Sequence, residues 1–159
     1  MLTNIKPVGY HAWVDDHTLA LFVLGLPATL QLADPSTGAA EILVTGSGQS
    51  IQKIPGGGTI SFVERTTANG LVTLSIRELD PKTKRITPLV DAVAGAREAD
   101  CAWTPDGMLV MAEKDVLYGW KKGDAAWRTL ADLAALGLHG VTRIAISPKG
   151  DRIAFVTQP

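Results

Sequence analysis

The chain has 159 residues, of which 46% are hydrophobic and 19% charged, with a formal net charge of −1. That length and composition support one domain with a packed core and exclude a disordered chain. The near-neutral balance gives neither nucleic acid nor an anionic membrane an electrostatic reason to bind.

The opening "MLTNIKPVGYH" lacks an apolar stretch of signal-peptide length, so any export signal lies outside this chain. The first strands expected are Tyr10–Val14, Thr18–Leu24, Thr29–Ala33 and Glu41–Val44. The apolar run Leu19 to Leu26 stops at Pro27, far short of the roughly 20 residues that span a bilayer, so no membrane insertion is expected. A second set comes at Ile51–Ile54, Thr59–Glu64, Leu71–Glu78 and Ile86–Val90, and a third at Asp100–Trp103, Met108–Ala112, Val116–Trp120 and Trp127–Leu130. Trp127, Leu130, Leu133 and Leu136 also fall at helical spacing before Gly137, which predicts a helical turn over Ala131 to Leu136. The last set holds only Arg143–Ser147 and Arg152–Thr157.

These sets repeat. "AWVDDHTLALFV", "KIPGGGTISFV", "AWTPDGMLVMA" and "AISPKGDRIAFV" share a strand, a polar corner and an apolar strand. Their anchors Trp13, Ile54, Trp103 and Ile146 stand 41, 49 and 43 residues apart. That period is the range of four-stranded propeller blades. The second halves repeat too: "TLQLADPSTGAAEIL" and "VTLSIRELDPKTKRITPL" both place Asp-Pro and a turn between alternating strands. The third set keeps that rhythm with Lys121-Lys122-Gly123-Asp124 at the turn. The fold class expected is therefore all-β, with propeller blades of four antiparallel strands. One partial propeller domain covers 1–159, in units 7–46, 47–92 and 93–137 and a half unit 138–159.

The corners and turns resemble those of the TolB-type propeller, a relative of the WD-type repeats. Its W-S-P-D-G corner is matched by Trp103-Thr-Pro-Asp-Gly107 and Ser147-Pro-Lys-Gly150, and its D-x-x-T-G turn by Asp34-Pro-Ser-Thr-Gly38 and, less closely, Asp80-Pro-Lys-Thr-Lys84. Asp15-Asp16-His17 and Pro55-Gly56-Gly57 depart from the first pattern, which predicts two corners of different shape. The resemblance implies a closed ring, usually of about six blades. Three and a half units look like its C-terminal half, with "MLTNI" resembling the outermost strand of a preceding blade. An open arc exposes apolar faces and unpaired strands, so the expectation is a head-to-tail homodimer that brings Met1–Ile5 of one copy near the fourth unit of the other. The resemblance also implies a periplasmic or extracytoplasmic location.

Candidate chemistry is sparse. "HAWVDDH" offers His11, Asp15, Asp16 and His17, but strand alternation puts His11 and Asp15 on one side with Trp13 and leaves Asp16 and His17 at the turn. The reading is a turn cap, with no metal site. "GSGQS" and "PGGG" have neither phosphate-loop nor dinucleotide spacing, and no G-x-S-x-G occurs. The single cysteine, Cys101, excludes an internal disulfide and a cysteine-built zinc site and reads as a small core residue. Trp13 and Trp103 read as packing residues between blades. No catalytic residue and no cofactor is assigned.

In a propeller the loops ahead of the innermost strands converge near the channel. Tyr10, His11, Gln49, Arg97, Glu98, Asp100, His139 and Arg143 occupy or flank those positions and do not repeat from unit to unit. Differing side chains at equivalent places suit a binding surface, while Asp100 and Arg143 could simply pair. The first functional expectation is a non-enzymatic scaffold that binds a protein or peptide at the channel face. The alternatives are a metal-dependent lactonase-type propeller hydrolase and the accessory propeller domain of a prolyl-oligopeptidase-like hydrolase.

Overall fold

The computed structural model describes residues 2, 4–46 and 50–158. Its contacts divide the chain into two units, 1–91 and 92–159.

The first unit holds two four-stranded antiparallel sheets, each running in chain order. One is β1 (Val8–Asp15), β2 (Thr18–Val23), β3 (Thr29–Ala33) and β4 (Ala40–Thr45). The other is β5 (Gln52–Lys53), β6 (Ile60–Ala68), β7 (Leu71–Asp80) and β8 (Arg85–Asp91). Val14, Ala20, Phe22 and Leu30 of the first sheet pack with Ile60, Phe62 and Leu79 of the second, and with Ile51 just ahead of β5, into one core. Leu19, Leu21 and Ala33 form a second cluster, joined by Leu2 and Ile5. Leu2, Asn4 and Ile5 are not in a strand, so the outermost strand expected at Met1–Ile5 is absent from the described part of that stretch; Met1 and Thr3 lie outside the described residues.

The second unit holds one four-stranded sheet of β9 (Cys101–Trp103), β10 (Met108–Glu113), β11 (Val116–Lys121) and β12 (Arg128–Asp132), and a two-stranded sheet of β13 (Val141–Ile146) and β14 (Ile153–Thr157). Ala102, Val110 and Ile144 form one of its buried clusters, with Met108, Ile146 and Phe155 packed around them. A single 3-10 turn, Ala134–Leu136, links the two sheets and ends on Gly137 at φ 72°. The helical turn expected at 131–136 is therefore shorter, because β12 continues to Asp132, which then accepts the Ala134 N–H at 3.0 Å.

Hydrogen bonds explain the repeated corners. Thr104 N donates to the Met108 carbonyl and Gly107 N to the Thr104 carbonyl, while Thr104 Oγ1 accepts the Met108 N–H at 2.9 Å. In the fourth corner Ser147 N donates to Arg152 O, Gly150 N donates to Ser147 O, and Ser147 Oγ accepts the Arg152 N–H at 3.1 Å. Gly107 and Gly150 both adopt left-handed backbone, at φ 81° and 71°. The two corners meet: a Cβ on Gly150 would lie 3.0 Å from Pro105 Cδ. The Pro55-Gly56-Gly57 corner keeps two of these bonds, Ile54 N to Thr59 O and Gly57 N to Ile54 O, but its left-handed residue is Gly56, one position earlier than in the other two, and Ile54 has no hydroxyl to hold the turn, so its shape differs as expected. The first corner differs too. Asp15 pairs with Thr18 across a two-residue turn, and Asp15 Oδ1 accepts the His17 N–H at 2.9 Å.

Register corrects two details of the repeat. Trp13 pairs with Leu19, Trp103 with Leu109 and Ile146 with Ile153, but in the second sheet Lys53, not Ile54, pairs with Ile60. Ile54 therefore occupies the place of Thr104 and Ser147. Trp13 is also no core residue, being 51% exposed beside His11 and Asp15, because alternation along β1 turns Tyr10, Ala12 and Val14 inward. The second sheet also carries a longer hairpin than its pattern predicts: β6 runs past Glu64 to Ala68 and returns at Leu71. Asn69 and Gly70 close it with φ of 52° and 76°, and Asn-Gly is the strongest short hairpin signal in a sequence.

Candidate functional site

Residues ahead of β9 and on β13 come together in the second unit. Arg97, Glu98 and Asp100 line a cleft of about 460 Å³, closed on its other side by Glu113 and Lys114 from the β10–β11 hairpin and by Thr142 of β13. The loop runs over Gly95, whose φ of 85° turns the backbone, and delivers Asp100 just before the buried pair Cys101 and Ala102. β9 thus fixes one wall by burying its own side chains.

Asp100 is the pivot of the cleft. Its Oδ2 accepts the Ile144 N–H at 2.8 Å, which ties the loop to β13. Its burial raises the carboxyl above the usual Asp range, against the lowering effect of the Ile144 hydrogen bond and the Arg143 charge. A carboxylate short of solvent is a strong partner for an arriving cation, because desolvation leaves its charge less compensated. Arg143 Nη1 lies 3.7 Å from Glu98 Oε2 and donates to the Thr142 carbonyl at 2.6 Å. Arg143 thus approaches Glu98 closely, and its charge acts on the Asp100 carboxyl.

His139 is not among the residues that line the cleft. His139 Nδ1 stands 2.9 Å from Asp115 Oδ2, and Asp115 Oδ1 accepts the Gly140 N–H at 3.0 Å, which makes them the brace of the loop that enters β13. The His139 hydrogen bond is the main reason Asp115 sits below the usual carboxylate range. Tyr10 belongs to the first unit's core edge, its ring tilted 45° against Phe22 at 6.0 Å. His11 is exposed on the opposite side of β1. Gln49 lies outside the described residues. Burial pushes the Cys101 thiol well above its usual range, as fits a core residue.

Glu113, Lys114 and Thr142 were not among the residues read from the sequence. The signal was present: a charged run, Glu113-Lys114-Asp115, breaks an apolar strand at a two-residue turn, with Lys114 at φ 55°. The cleft gathers both signs of charge around a half-buried carboxylate. That arrangement can hold groups of either charge along an extended ligand.

No protein-family model and no curated protein matches the chain. Solved structures do. The crystal structure of TolB from Acinetobacter baumannii superposes with a TM-score of 0.71 at 21% identity, over 96% of this chain and 38% of that one. The tricorn protease superposes with a TM-score of 0.59 at 14% identity, over 88% of this chain and 14% of that one. The chain thus spans well under half the length of either. With three four-stranded antiparallel sheets and one two-stranded sheet among the described residues, the chain has the fold of TolB-like β-propeller blades.

Proposed function

We propose that the chain is a non-enzymatic propeller scaffold that binds a protein or peptide segment at the loops ahead of its inner strands. The observation that supports this reading is the cleft where Arg97, Glu98 and Asp100 face Glu113 and Lys114. Its side chains do not repeat, while the corners around it do. An extended peptide that carries both charge signs suits a cleft lined by both. Head-to-tail association with a second copy is part of the same proposal, because blades of this fold close into a ring.

Isothermal calorimetry with unstructured peptides of three kinds (lysine-rich, glutamate-rich and mixed) tests the binding. Mixed-charge peptides are expected to bind best. Asp100→Asn and Arg97→Glu are each expected to weaken them about tenfold, the usual scale for losing one charged hydrogen bond. Asp100→Asn is also expected to raise the melting temperature above pH 4. A carboxyl held above its ordinary value binds protons more readily folded than unfolded, so its cost grows as pH rises through that window and stays in full above it. Binding that both substitutions leave intact, or cleavage of the peptides, overturns the reading.

A further inference from the structure

The first unit carries exposed leucines where two of its hairpins turn. Leu24 and Leu26 stand on the turn between β2 and β3, and Leu71 begins β7. Leu26 is fully exposed, Leu71 is 71% exposed and Leu24 48%. The two turns are neighbours. Gly46 N donates to the Ala28 carbonyl at 2.8 Å, and the Gly46 carbonyl accepts the Arg65 N–H at 3.0 Å. Ala28 and Arg65 therefore stand at one level. From that level the β6–β7 hairpin rises three residues to Ala68, about 10 Å at strand rise, and the shorter turn rises two residues to Leu26, at most about 7 Å. Alternation sends Leu71 to the side of β7 that carries Leu79, and Leu24 to the side of β2 that carries Phe22. Both leucines thus stand at the rim of the core that the two sheets share. The sheet each one faces is in place, and both are exposed all the same.

Charge at this rim has one sign. Thr18 to Ala33 hold no ionisable residue, and Arg65 is the only one from Arg65 to Ile76. Pro7 accepts the Leu24 N–H at 2.9 Å, which brings exposed Lys6 beside the first turn. The acids nearest along the longer hairpin sit at its root: Glu64 lies 2.8 Å from Arg77, and Asp91 accepts the Ser75 hydroxyl at 2.6 Å. The overall charge of −1 thus conceals a rim with two cations and no acid beside its leucines.

We propose that this rim docks on an anionic lipid surface, with Leu26 and Leu71 entering the boundary between headgroups and acyl chains and Lys6 and Arg65 lying among the lipid phosphates. Separate tips of similar height suit a flat fluid layer, which accepts each leucine where it lands. A protein partner would need a matching hollow for each. The two cations add attraction to acidic headgroups. No third strand flanks the longer hairpin beyond Arg65 and Ser75 among the described residues, so its outer backbone groups need hydrated partners and the docking is shallow. The rim belongs to the first unit and the cleft to the second, so the docking stands whether or not the cleft binds peptides.

Co-sedimentation of the chain with vesicles of equal parts phosphatidylcholine and phosphatidylglycerol, and with vesicles of phosphatidylcholine alone, reads the docking. Binding to the mixed vesicles is expected, at least about tenfold tighter than to the neutral ones and weakened by salt. Leu26→Asp and Leu71→Asp are each expected to weaken it about tenfold, the scale of withdrawing one partly buried leucine. Lys6→Glu is expected to weaken binding to the mixed vesicles only. Ile42→Asp, at an exposed residue in the middle of the outermost strand β4, is expected to change nothing. Circular dichroism checks that each variant keeps its sheet signal. Amide hydrogen exchange gives an independent reading: segments 24–28 and 67–72 are expected to exchange more slowly on mixed vesicles, and β4 at an unchanged rate. A chain that ignores the mixed vesicles overturns the proposal. So does binding that Leu26→Asp and Leu71→Asp both leave intact, or binding in which neither segment gains protection.

Discussion

The first unit repeats the turn between the last two strands of a sheet, and the second unit repeats the corner between the first two. Asp34 Oδ1 accepts from Ser36 N and Ser36 Oγ at 2.7 and 2.6 Å, and Gly38 turns at φ 78°. Asp80 Oδ1 accepts from Lys82 N and Thr83 N at 2.9 and 3.3 Å, with Lys84 at φ 58° in the place of the glycine. In the second unit Thr104 and Ser147 do the equivalent work with a hydroxyl, and both left-handed positions are glycine. In both pairs a short polar side chain holds the backbone, so the turn survives changes elsewhere in its sequence. The strand beyond such a turn is free to differ: β10 is buried, while β14, behind a nearly identical corner, is open.

The largest expected effect breaks the β10–β14 contrast directly. Leu109→Ala empties a fully buried site and is expected to destabilise the chain by about 2–5 kcal/mol in denaturant unfolding. Val156→Ala, measured in dilute solution, is expected to stay within about 0.5 kcal/mol. Equal losses would mean that β14 is as covered as β10.

The two corner glycines should separate next. Alanine at either forces left-handed backbone at about 1–2 kcal/mol. At Gly107 the new Cβ meets nothing within 4 Å, whereas at Gly150 it presses on Pro105. Gly150→Ala is therefore expected to lower the melting temperature more than Gly107→Ala. The reverse order would deny the contact between the corners.

Lys84→Gly sharpens the comparison of the two Asp turns. It relieves the left-handed lysine and gives up the exposed Lys84–Glu41 ion pair at 2.6 Å, which counts for little in water. A gain of less than about 1 kcal/mol is expected from thermal unfolding. A loss would assign the ion pair more weight than the strain.

Smallest is the acid response of the Asp turns. The Ser36 hydrogen bonds hold Asp34 down to about 2 from an ordinary 3.8, and Asp80 is lowered mainly by Thr83. A carboxyl lowered in the folded state contributes stability that is whole above pH 4 and fades as pH falls toward 2. Asp34→Asn is expected to flatten the melting-temperature profile between pH 4 and pH 2. An unchanged slope would show that other carboxylates dominate there.

Strand positions were legible because alternation and turn residues are local signals, and Thr29–Ala33 matches β3 to the residue. The one-residue slip at Ile54 came from matching apolar character where register is set by the corner, which puts a lysine at the anchor. Trp13 misled for a related reason: size argued for burial, but Val14 faces the core. Asp100, Glu98 and Arg97 were legible as differing residues at equivalent places. Their opposite wall was not read, because Glu113 and Lys114 stand at the turn after the second strand and reach the cleft only through the β10–β11 pairing.

The proline ring of one corner rests against the bare glycine of the next. That contact works as a stop, fixing how closely successive sheets of the second unit can stack at that rim. Loops elsewhere can lengthen or change charge without disturbing the spacing. A bulkier residue at Gly150 would spread the sheets apart at that one point, much as a washer does under a stack of plates.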